Sequence, residues 1–193
     1  MDTKFYDVMV DIETTGTDPG QNAIIQLAAV RFNLETRELD TASMFNRCMF
    51  IPPRRYWDEG TREWWGRQKR EVLADIYSRM EDPKIVLEAF SQWSLEMGSG
   101  EPLRFWGKPT HFDYSFVQNY LNQYEVYNPY HFRWATDLNS FIRGRANSSR
   151  VENFKSDFQG DAHNALFDVI NQIDNLFKAV DHYAGPPAAQ AAE

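Results

Sequence analysis

The sequence predicts one α/β domain in which helices flank a mixed β-sheet. Three observations support this fold class. The length of 193 residues fits a single hydrophobic core. The composition, 42% hydrophobic and 15% aromatic, suffices to fill that core and excludes disorder as the overall state. The order of elements is the third, because strand-like segments come first and helix-like and strand-like segments then alternate.

The first fifty residues contain three segments with the composition of strands. Each is rich in β-branched and aromatic residues, and turns containing polar residues separate them. They cover residues 5–12, 24–32 and 41–50. Their connections are too short for helical crossovers, so we expect an antiparallel meander.

Helical periodicity replaces the strand pattern after residue 60. Thr61 is expected to cap the first helix and Asp161 the last one. A fourth strand is expected over residues 102–108. The predicted helices cover residues 61–78, 82–97, 113–124, 136–143 and 161–183.

The remaining segments predict loops and a tail around one domain. Residues 143–160 are polar and contain glycine, serine and asparagine, which is typical of a long loop. Residues 184–193 carry no core residues and are expected to be disordered, so the domain should occupy residues 1–183.

Cysteine content and hydropathy limit the class of protein. Cys48 is the only cysteine, so an intrachain disulfide and a multi-cysteine zinc site are excluded. The start of the sequence lacks the apolar stretch of a signal peptide, and no apolar run is long enough to span a membrane. We therefore expect a soluble protein in the reducing cytoplasm.

The net charge of the chain, taken alone, argues against a nucleic-acid partner. The chain has 28 acidic and 20 basic residues, a formal charge of −8, whereas phosphate binders usually carry a basic excess. The motifs described next point the other way.

Asp11 and Glu13 form the first acidic motif. Residues two apart on a strand point to the same face, so their carboxylates should be neighbours. Such carboxylates repel one another unless a cation lies between them, and Mg²⁺ or Mn²⁺ prefers oxygen ligands of this kind. Chance alone supplies about one Asp-x-Glu in this composition, so the evidence is the position of the pair, at the end of an apolar strand before a Thr-Thr-Gly turn.

Asp113, His163 and Asp168 extend the constellation. Asp113 follows the fourth predicted strand at the start of a helix. His163 and Asp168 are five residues apart, which on a regular helix separates them by roughly 140°. They can share a site only if His163 lies in the loop or first turn before the helix.

The ordered series resembles the DEDDh exonucleases, the proofreading-type 3′–5′ branch of the ribonuclease H-like superfamily. Asp11 and Glu13 match the first motif of that family, Asp113 the second, and His163 with Asp168 the third. A sister branch has tyrosine four residues before the last aspartate, where this chain has Asn164. Residues 61–68 resemble phage exonucleases of the T-even exonuclease A type, a group that includes a mycobacterial-type exoribonuclease family, and a viral chain would work in the host cytoplasm. This resemblance leaves DNA and RNA open as substrates.

The resemblance implies a ribonuclease H-like sheet and a two-metal mechanism with two Mg²⁺ or Mn²⁺ ions. Asp11, Glu13, Asp113 and Asp168 would hold the ions, and His163 would act as general base. The expected reaction releases nucleoside 5′-monophosphates from single-stranded DNA or RNA 3′ ends. Two alternatives remain open, an oligoribonuclease-like enzyme on short oligomers and an idle binding module on the same fold. The net charge of −8 then no longer argues against a nucleic-acid partner, because bound cations would offset the charge of the four metal-binding acids.

Substrate contacts are expected from the turn after Glu13 and from a basic, aromatic segment. Residues 54–70 hold six basic and three acidic residues with interleaved aromatic ones, which is typical of single-strand binding. Adjacent helical residues point about 100° apart, so we expect one of the two tryptophans to pack in the core and the other to approach substrate. A second basic group in the long loop is a weaker candidate, equally consistent with a solvated loop. The predicted substrate-binding residues are Thr14, Thr15, Trp64, Trp65 and Arg67.

Overall fold

The structure is a computed structural model that describes residues 4–150, 154, 156–158, 160 and 162–184. The expectation of a disordered tail beyond Ala184 and the cap assigned to Asp161 concern residues outside this part of the chain. Most of residues 151–161 in the predicted long loop also lie outside it. The single domain over residues 1–183 stays a prediction.

The described chain forms a seven-stranded mixed sheet with α-helices around it, which confirms the predicted fold class. None of its helices is both long and apolar enough to cross a membrane. The strands are β1 (Asp7–Thr14), β2 (Ile24–Asn33), β3 (Glu38–Leu39), β4 (Phe45–Met49), β5 (Met80–Glu81), β6 (Arg104–Gly107) and β7 (Thr136–Asp137). The helices are α1 (Glu59–Trp65), α2 (Arg70–Ser78), α3 (Pro83–Gly98), α4 (Thr110–Gln123), α5 (Leu138–Ala146) and α6 (Ala165–His182), with a 3₁₀ turn at Phe132–Trp134.

The strand order is β5-β4-β2-β1-β6-β7, and β3 pairs with β2. β1, β2 and β4 form the antiparallel meander that the short connections predict. β6 runs parallel to β1, and β7 runs parallel to β6. Because β1 and β6 are parallel neighbours, their C-terminal ends meet at one edge of the sheet, where a site can be assembled from different parts of the chain.

The predicted helix over residues 61–78 is two helices, and its predicted cap is wrong. Asp58 is the N-cap of α1, and its carboxylate accepts the N–H of Thr61 at 2.8 Å, so Thr61 lies inside the first turn. The chain leaves the helix at Gly66, a residue with low helix propensity, and α2 starts only at Arg70. A side-chain cap and a glycine therefore break the helical period.

Two other boundaries differ from the predictions. Residues 136–143 begin as strand β7, and Asp137 then caps α5 by accepting the N–H of Ser140. The last helix starts at Ala165 rather than at residue 161, because Asn164 is its N-cap and accepts the N–H of Leu166 at 3.2 Å.

The sheet separates two hydrophobic cores. Alternate residues of β1 face opposite sides: Val8, Val10 and Ile12 pack with α3 and α4, whereas Met9 packs with α6. Full burial of each large apolar side chain contributes about 1.5–3 kcal/mol, so both cores stabilise the placement of β1. The side chains of Asp11 and Glu13 continue the Met9 face and therefore point towards α6.

Arg55 and Tyr120 join the loop after β1 to helix α4. Arg55 is 8% exposed and donates to the side chains of Gln123 and Asn119 on α4 and to the backbone oxygen of Pro19. Its guanidinium lies 4.1 Å from the ring centre of Tyr120, whose buried hydroxyl accepts the N–H of Ile24 at 2.8 Å. Arg55 is thus a structural residue, although it belongs to the basic segment 54–70.

Tyr120→Phe should lower the free energy of unfolding by about 1–3 kcal/mol, because it leaves the buried N–H of Ile24 without its acceptor. Urea unfolding of the variant and of Tyr124→Phe, a matched change at a half-buried ring on the same side of α4, measures the difference. Equal stability of Tyr120→Phe and the wild type would contradict the role given to this hydrogen bond.

Candidate active site

Strand β1 presents the first two acids. In the antiparallel register Asp11 lies opposite Ala28 and Glu13 opposite Gln26. Asp11 is half-buried, and Glu13 is 8% exposed. The pairing is regular up to Glu13 and shifts between Glu13 and Thr14, so both acids sit on the last regular part of the strand. The two carboxylates share the face that packs against α6, as the spacing predicts.

Asp113 enters from the end of β6 through the first turn of α4. It is 2% exposed, and its Oδ2 has no hydrogen-bond partner among the described residues. Gly107, the last residue of β6, permits the close approach: a Cβ at this position would lie 2.9 Å from Oδ2 of Asp113 and 2.9 Å from Cα of Thr110. The glycine therefore makes space for the carboxylate.

His163 and Asp168 converge because His163 lies outside the helix. His163 has φ of 65°, in the left-handed region, and precedes the N-cap Asn164. Its backbone N–H donates to Oδ2 of Asp168 at 3.0 Å. His163 therefore lies before the helix, as a site shared with Asp168 requires, because the 140° separation applies only to two residues on a regular helix.

Gln26 fixes the start of α6 to the sheet. It is fully buried on β2, its Oε1 accepts the N–H of Ala165 at 3.1 Å, and its amide donates to Asn164 at 3.3 Å. Gln26 also faces Glu13 in the strand register. One polar side chain in the middle of the sheet thus sets the position of the His163 turn relative to Glu13.

All five predicted catalytic residues line one open cleft of about 360 Å³. Ligand atoms of Glu13, His163 and Asp168 lie within 4.8 Å of one another. The cleft also contains Lys108 and His111, which follow β6. The structure therefore brings together residues that are separated by up to 157 positions in the sequence.

The raised pKa values of the acids in the cleft indicate that it would bind a cation. Burial, and then repulsion by Asp168, raises the pKa of Asp11 to about 8. Burial and the neighbouring carboxylates raise the pKa values of Glu13 and Asp113 well above their ordinary range. Burial also raises the pKa of Asp168, although the N–H of His163 opposes the shift. Four acids that are costly to ionise together form a site that a cation would stabilise.

The donor set fits a hard divalent cation. It offers carboxylate oxygens, including the unpartnered Oδ2 of Asp113, and one imidazole, and such oxygen-rich sets suit Mg²⁺ and Mn²⁺. Asp7 shows the contrast on the same strand, because its buried carboxylate is satisfied by Arg104 at 2.6 Å and by the indole of Trp106 at 2.7 Å. Asp7 is a structural acid, whereas Oδ2 of Asp113 in the cleft has no hydrogen-bond partner among the described residues.

Two residues of the site carry no recognisable motif in the sequence. Gln172, one turn after Asp168 on α6, donates its amide to Oδ1 of Asp11 at 2.7 Å. Lys108 lowers the pKa values of Asp11 and Asp168 by its charge. The i, i+4 spacing from Asp168 places Gln172 on the same helix face, and that spacing is the signal that points to it.

The two tryptophans divide as predicted into a core and a surface residue. Trp65 is 4% exposed and its indole donates to the backbone oxygen of Thr14 at 3.2 Å. Trp64 is half-buried and its ring meets that of His163 edge to face at 4.5 Å. Trp64 is therefore the member of the pair beside the cleft, and its contact with substrate stays a prediction.

The polar groups of Thr15, one of the predicted substrate-binding residues, are used within the fold, and its contact with substrate stays a prediction. This residue is fully buried, its N–H donates to the backbone oxygen of Ala23, and its hydroxyl bonds Tyr56 and Ala23. The hydroxyl of Thr14 donates to the backbone oxygen of Gly16 at 2.7 Å and is also used internally. A contact from the backbone N–H of Thr14 stays a prediction, as does one from the exposed Arg67.

The aromatic residues near Asp113 and the second basic group differ in burial. Trp106 is 4% exposed and belongs to the core on the α6 side. Tyr114 packs partly buried against the opposite core, and Phe112 does the same while also lining the cleft. The second basic group, Arg143, Arg145 and Arg150, is exposed, as both a solvated surface and a binding surface would be.

Comparison with solved structures places the chain among nucleases by fold. Cell-death related nuclease 4 (CRN-4) matches with a TM-score of 0.67 and 18% identity over 93% of this chain and 65% of that one. Exonuclease I of E. coli in complex with a dA13 oligonucleotide matches with a TM-score of 0.58 and 16% identity over 91% of this chain and 42% of that one. The chain thus spans between about two fifths and two thirds of the length of these structures.

Sequence comparison identifies the family. No protein of curated function matches the chain at a significant level. The model of the 3′-5′ exoribonuclease Rv2179c-like domain matches residues 6–179, a range that includes every acid of the cleft and His163. The chain therefore belongs to the 3′-5′ exoribonuclease Rv2179c-like family, which confirms the predicted relationship to the DEDDh 3′–5′ exonucleases.

Proposed function

We propose that the chain is a metal-dependent 3′–5′ exonuclease that releases nucleoside 5′-monophosphates from single-stranded ends. The observation that carries the proposal is the convergence of Asp11, Glu13, Asp113 and Asp168 in one cleft with His163 beside them. Membership of a 3′–5′ exoribonuclease family supports the same reaction.

Divalent cations, two Mg²⁺ or Mn²⁺ ions, would be held by Asp11, Glu13, Asp113 and Asp168. When bound, they supply Lewis-acid chemistry, neutralising charge on the scissile phosphate and lowering the pKa of a coordinated water. The chain contributes the spacing of the ligands: Gln172 orients Asp11 from α6, and Gly107 permits the approach of Asp113 from α4. Both contacts limit the movement of carboxylates that repel one another.

His163 is proposed to accept the proton of the attacking water. Its ring lies at the open side of the acids, and an imidazole exchanges protons near neutral pH. The bond from its N–H to Asp168 and the contact with the Trp64 ring restrict where the imidazole can point. This restriction would keep the proposed base beside the acids instead of leaving it free in solvent.

Lys108 is proposed to attract the phosphate of the terminal nucleotide. It is half-buried, lines the cleft and lies close enough to affect the charge of Asp11 and Asp168. The family description favours RNA, whereas one solved exonuclease of the same fold is in complex with a DNA oligonucleotide. We propose RNA as the preferred substrate on the strength of the family.

Single-stranded RNA and DNA of matched sequence, labelled at the 5′ or 3′ end, test the proposal. With Mg²⁺ or Mn²⁺ we expect mononucleotides from 3′-labelled strands from the first time point, a ladder of shortening products from 5′-labelled strands, a faster rate on RNA, and no turnover in excess chelator. Internal cleavage or full activity in chelator would contradict the proposal, and binding without cleavage would indicate an idle module. Activity confined to the shortest oligomers would indicate an oligoribonuclease-like enzyme.

Two variants separate chemistry from folding in this assay. His163→Ala should lower kcat by about 10²–10⁴-fold, the usual contribution of a general base, whereas His131→Ala, outside the cleft on the 3₁₀ turn, should keep the wild-type rate. Asp168→Asn should abolish turnover with the fold retained by circular dichroism. Wild-type rates in either cleft variant would refute the assignment.

Asp11→Asn should stabilise the metal-free chain while inactivating it. The pKa of Asp11 is about 8 in the folded chain against an ordinary value of 3.8, so its contribution to stability is full below pH 3.8 and is lost progressively as pH rises from there to about 8. In chelator, wild type and variant should unfold at similar denaturant concentrations near pH 4, and the variant at a higher concentration at pH 6 and a still higher one at pH 8.5.

Mn²⁺ should reverse the order of stability of the wild type and Asp11→Asn at pH 8.5. It offsets the repulsion in the wild type, so its stability at pH 8.5 should rise with Mn²⁺ concentration, and that of Asp11→Asn should rise less. Glu35→Gln, at an exposed acid on the β2–β3 turn, controls for the loss of one charge. A metal-free Asp11→Asn that is less stable than the wild type at pH 8.5 would contradict the electrostatic account.

A further inference from the structure

A groove between α1 and α2 lies next to the catalytic cleft. It has a volume of about 500 Å³, and its walls include Trp57, Arg62, Trp65, Arg70 and Tyr77. We propose that this α1–α2 groove binds the nucleotides that precede the 3′-terminal one in a single-stranded substrate. The inference rests on the proposed function, because it assigns a path to the substrate of the same site.

Charge is the first argument for a phosphate-bearing occupant. The side chains of Arg62 and Arg70 are exposed, and among the described residues neither has a hydrogen-bond or ion-pair partner. The described walls of the groove contain no acidic residue, although the whole chain carries −8. Glu59 and Glu63 line a neighbouring hollow that shares Trp57 and Arg62 but not Arg70. The groove is thus a locally basic surface on an acidic protein.

Aromatic surface is the second argument. Tyr77 is 46% exposed, and Trp57 is half-buried against the small core formed around Trp65. Aromatic rings beside arginines bind single strands by stacking on bases while the guanidinium groups pair with phosphates. The walls of the groove combine these two kinds of side chain.

Continuity with the cleft is the third argument. Trp65 forms part of the groove, donates its indole N–H to Thr14, which directly follows Glu13, and has its ring centre 6.5 Å from that of His163. Trp65 is therefore a wall of the groove and also contacts or approaches Thr14 and His163 beside the cleft. A strand whose 3′ end lies at the acids can continue past the α1 side into the groove, so its preceding nucleotides are the fitting occupant.

Segment 54–70 thus has two roles that its composition does not separate. Arg55 is buried and holds the fold, whereas Arg62 and Arg70 face the groove. A partner protein with an acidic surface is the other class of ligand that such a groove could accept. Nucleic acid is favoured because the groove adjoins a site that belongs to an exonuclease family.

Binding and length-dependent hydrolysis test the groove together. The probes are oligouridylates of two and eight nucleotides, labelled with 5′-fluorescein for anisotropy in chelator and unlabelled for hydrolysis with Mn²⁺. The double variant Arg62→Glu/Arg70→Glu should bind the octamer at least about tenfold more weakly than the wild type and show a shallower dependence on salt. The ratio of kcat/KM for the octamer to that for the dimer should fall by a similar factor.

Matched controls define the outcome. Lys84→Glu, at an exposed lysine on α3 that is not part of either surface, should retain the wild-type ratio and affinity. Tyr77→Ala should lower the octamer ratio, and Tyr127→Ala, at a more exposed tyrosine elsewhere, should not. An unchanged octamer affinity in the arginine variant, or an equal loss on dimer and octamer, would overturn the proposal.

Failure of the proposed nuclease function and failure of the groove proposal would give different results. A wild type that hydrolyses neither oligomer but binds the octamer through the two arginines would refute the nuclease and retain the groove. A wild type that hydrolyses both, with arginine variants that behave like it, would refute the groove and retain the nuclease. Binding of an acidic protein, with no octamer binding, would also overturn the assignment to nucleic acid.

Discussion

Repulsion among four buried or half-buried carboxylates is the constraint on which the rest of the site depends. Asp11, Glu13, Asp113 and Asp168 lie on three separate parts of the chain, and burial raises the pKa of each. Neighbouring carboxylates raise the pKa values of Asp11, Glu13 and Asp113 further. A fold that collects such groups must hold them by other interactions. The hydrophobic cores on both faces of the sheet provide that stabilisation, since β1 is packed from both sides.

Specific polar contacts then set where the acids point. Gln26 ties the start of α6 to β2, and Gln172 holds Asp11 from the same helix. Gly107 clears the space that Asp113 occupies. Oδ2 of Asp113 has no hydrogen-bond partner among the described residues, and a cation bound in the cleft would be a partner for it. The clustering of the four carboxylates destabilises the metal-free chain, and the same clustering would favour the binding of cations.

Strand parity predicted that Asp11 and Glu13 share a face, and helix geometry required His163 to precede the helix if it was to share a site with Asp168. The grouping of these residues with Asp113 in one site rested on the resemblance to a known family. The sequence could not predict contacts that depend on packing between distant segments, such as the hydrogen bond from Gln172. Composition could not show that Arg55 is buried, since a buried and an exposed arginine look alike in a basic segment. Helix boundaries failed where one side-chain cap and one glycine outweighed the periodicity.

The acidity of the chain is consistent with this account, because the acids of the cleft are the proposed cation ligands and Arg62 and Arg70 lie in the separate α1–α2 groove. Electron paramagnetic resonance of Mn²⁺ added to the wild-type chain with a nucleoside 5′-monophosphate tests the central claim most directly. The account predicts two Mn²⁺ ions per chain with the spectrum of an exchange-coupled pair, and loss of the pair in Asp113→Asn. Spectra of free Mn²⁺ only, or a coupled pair that survives Asp113→Asn, would contradict it.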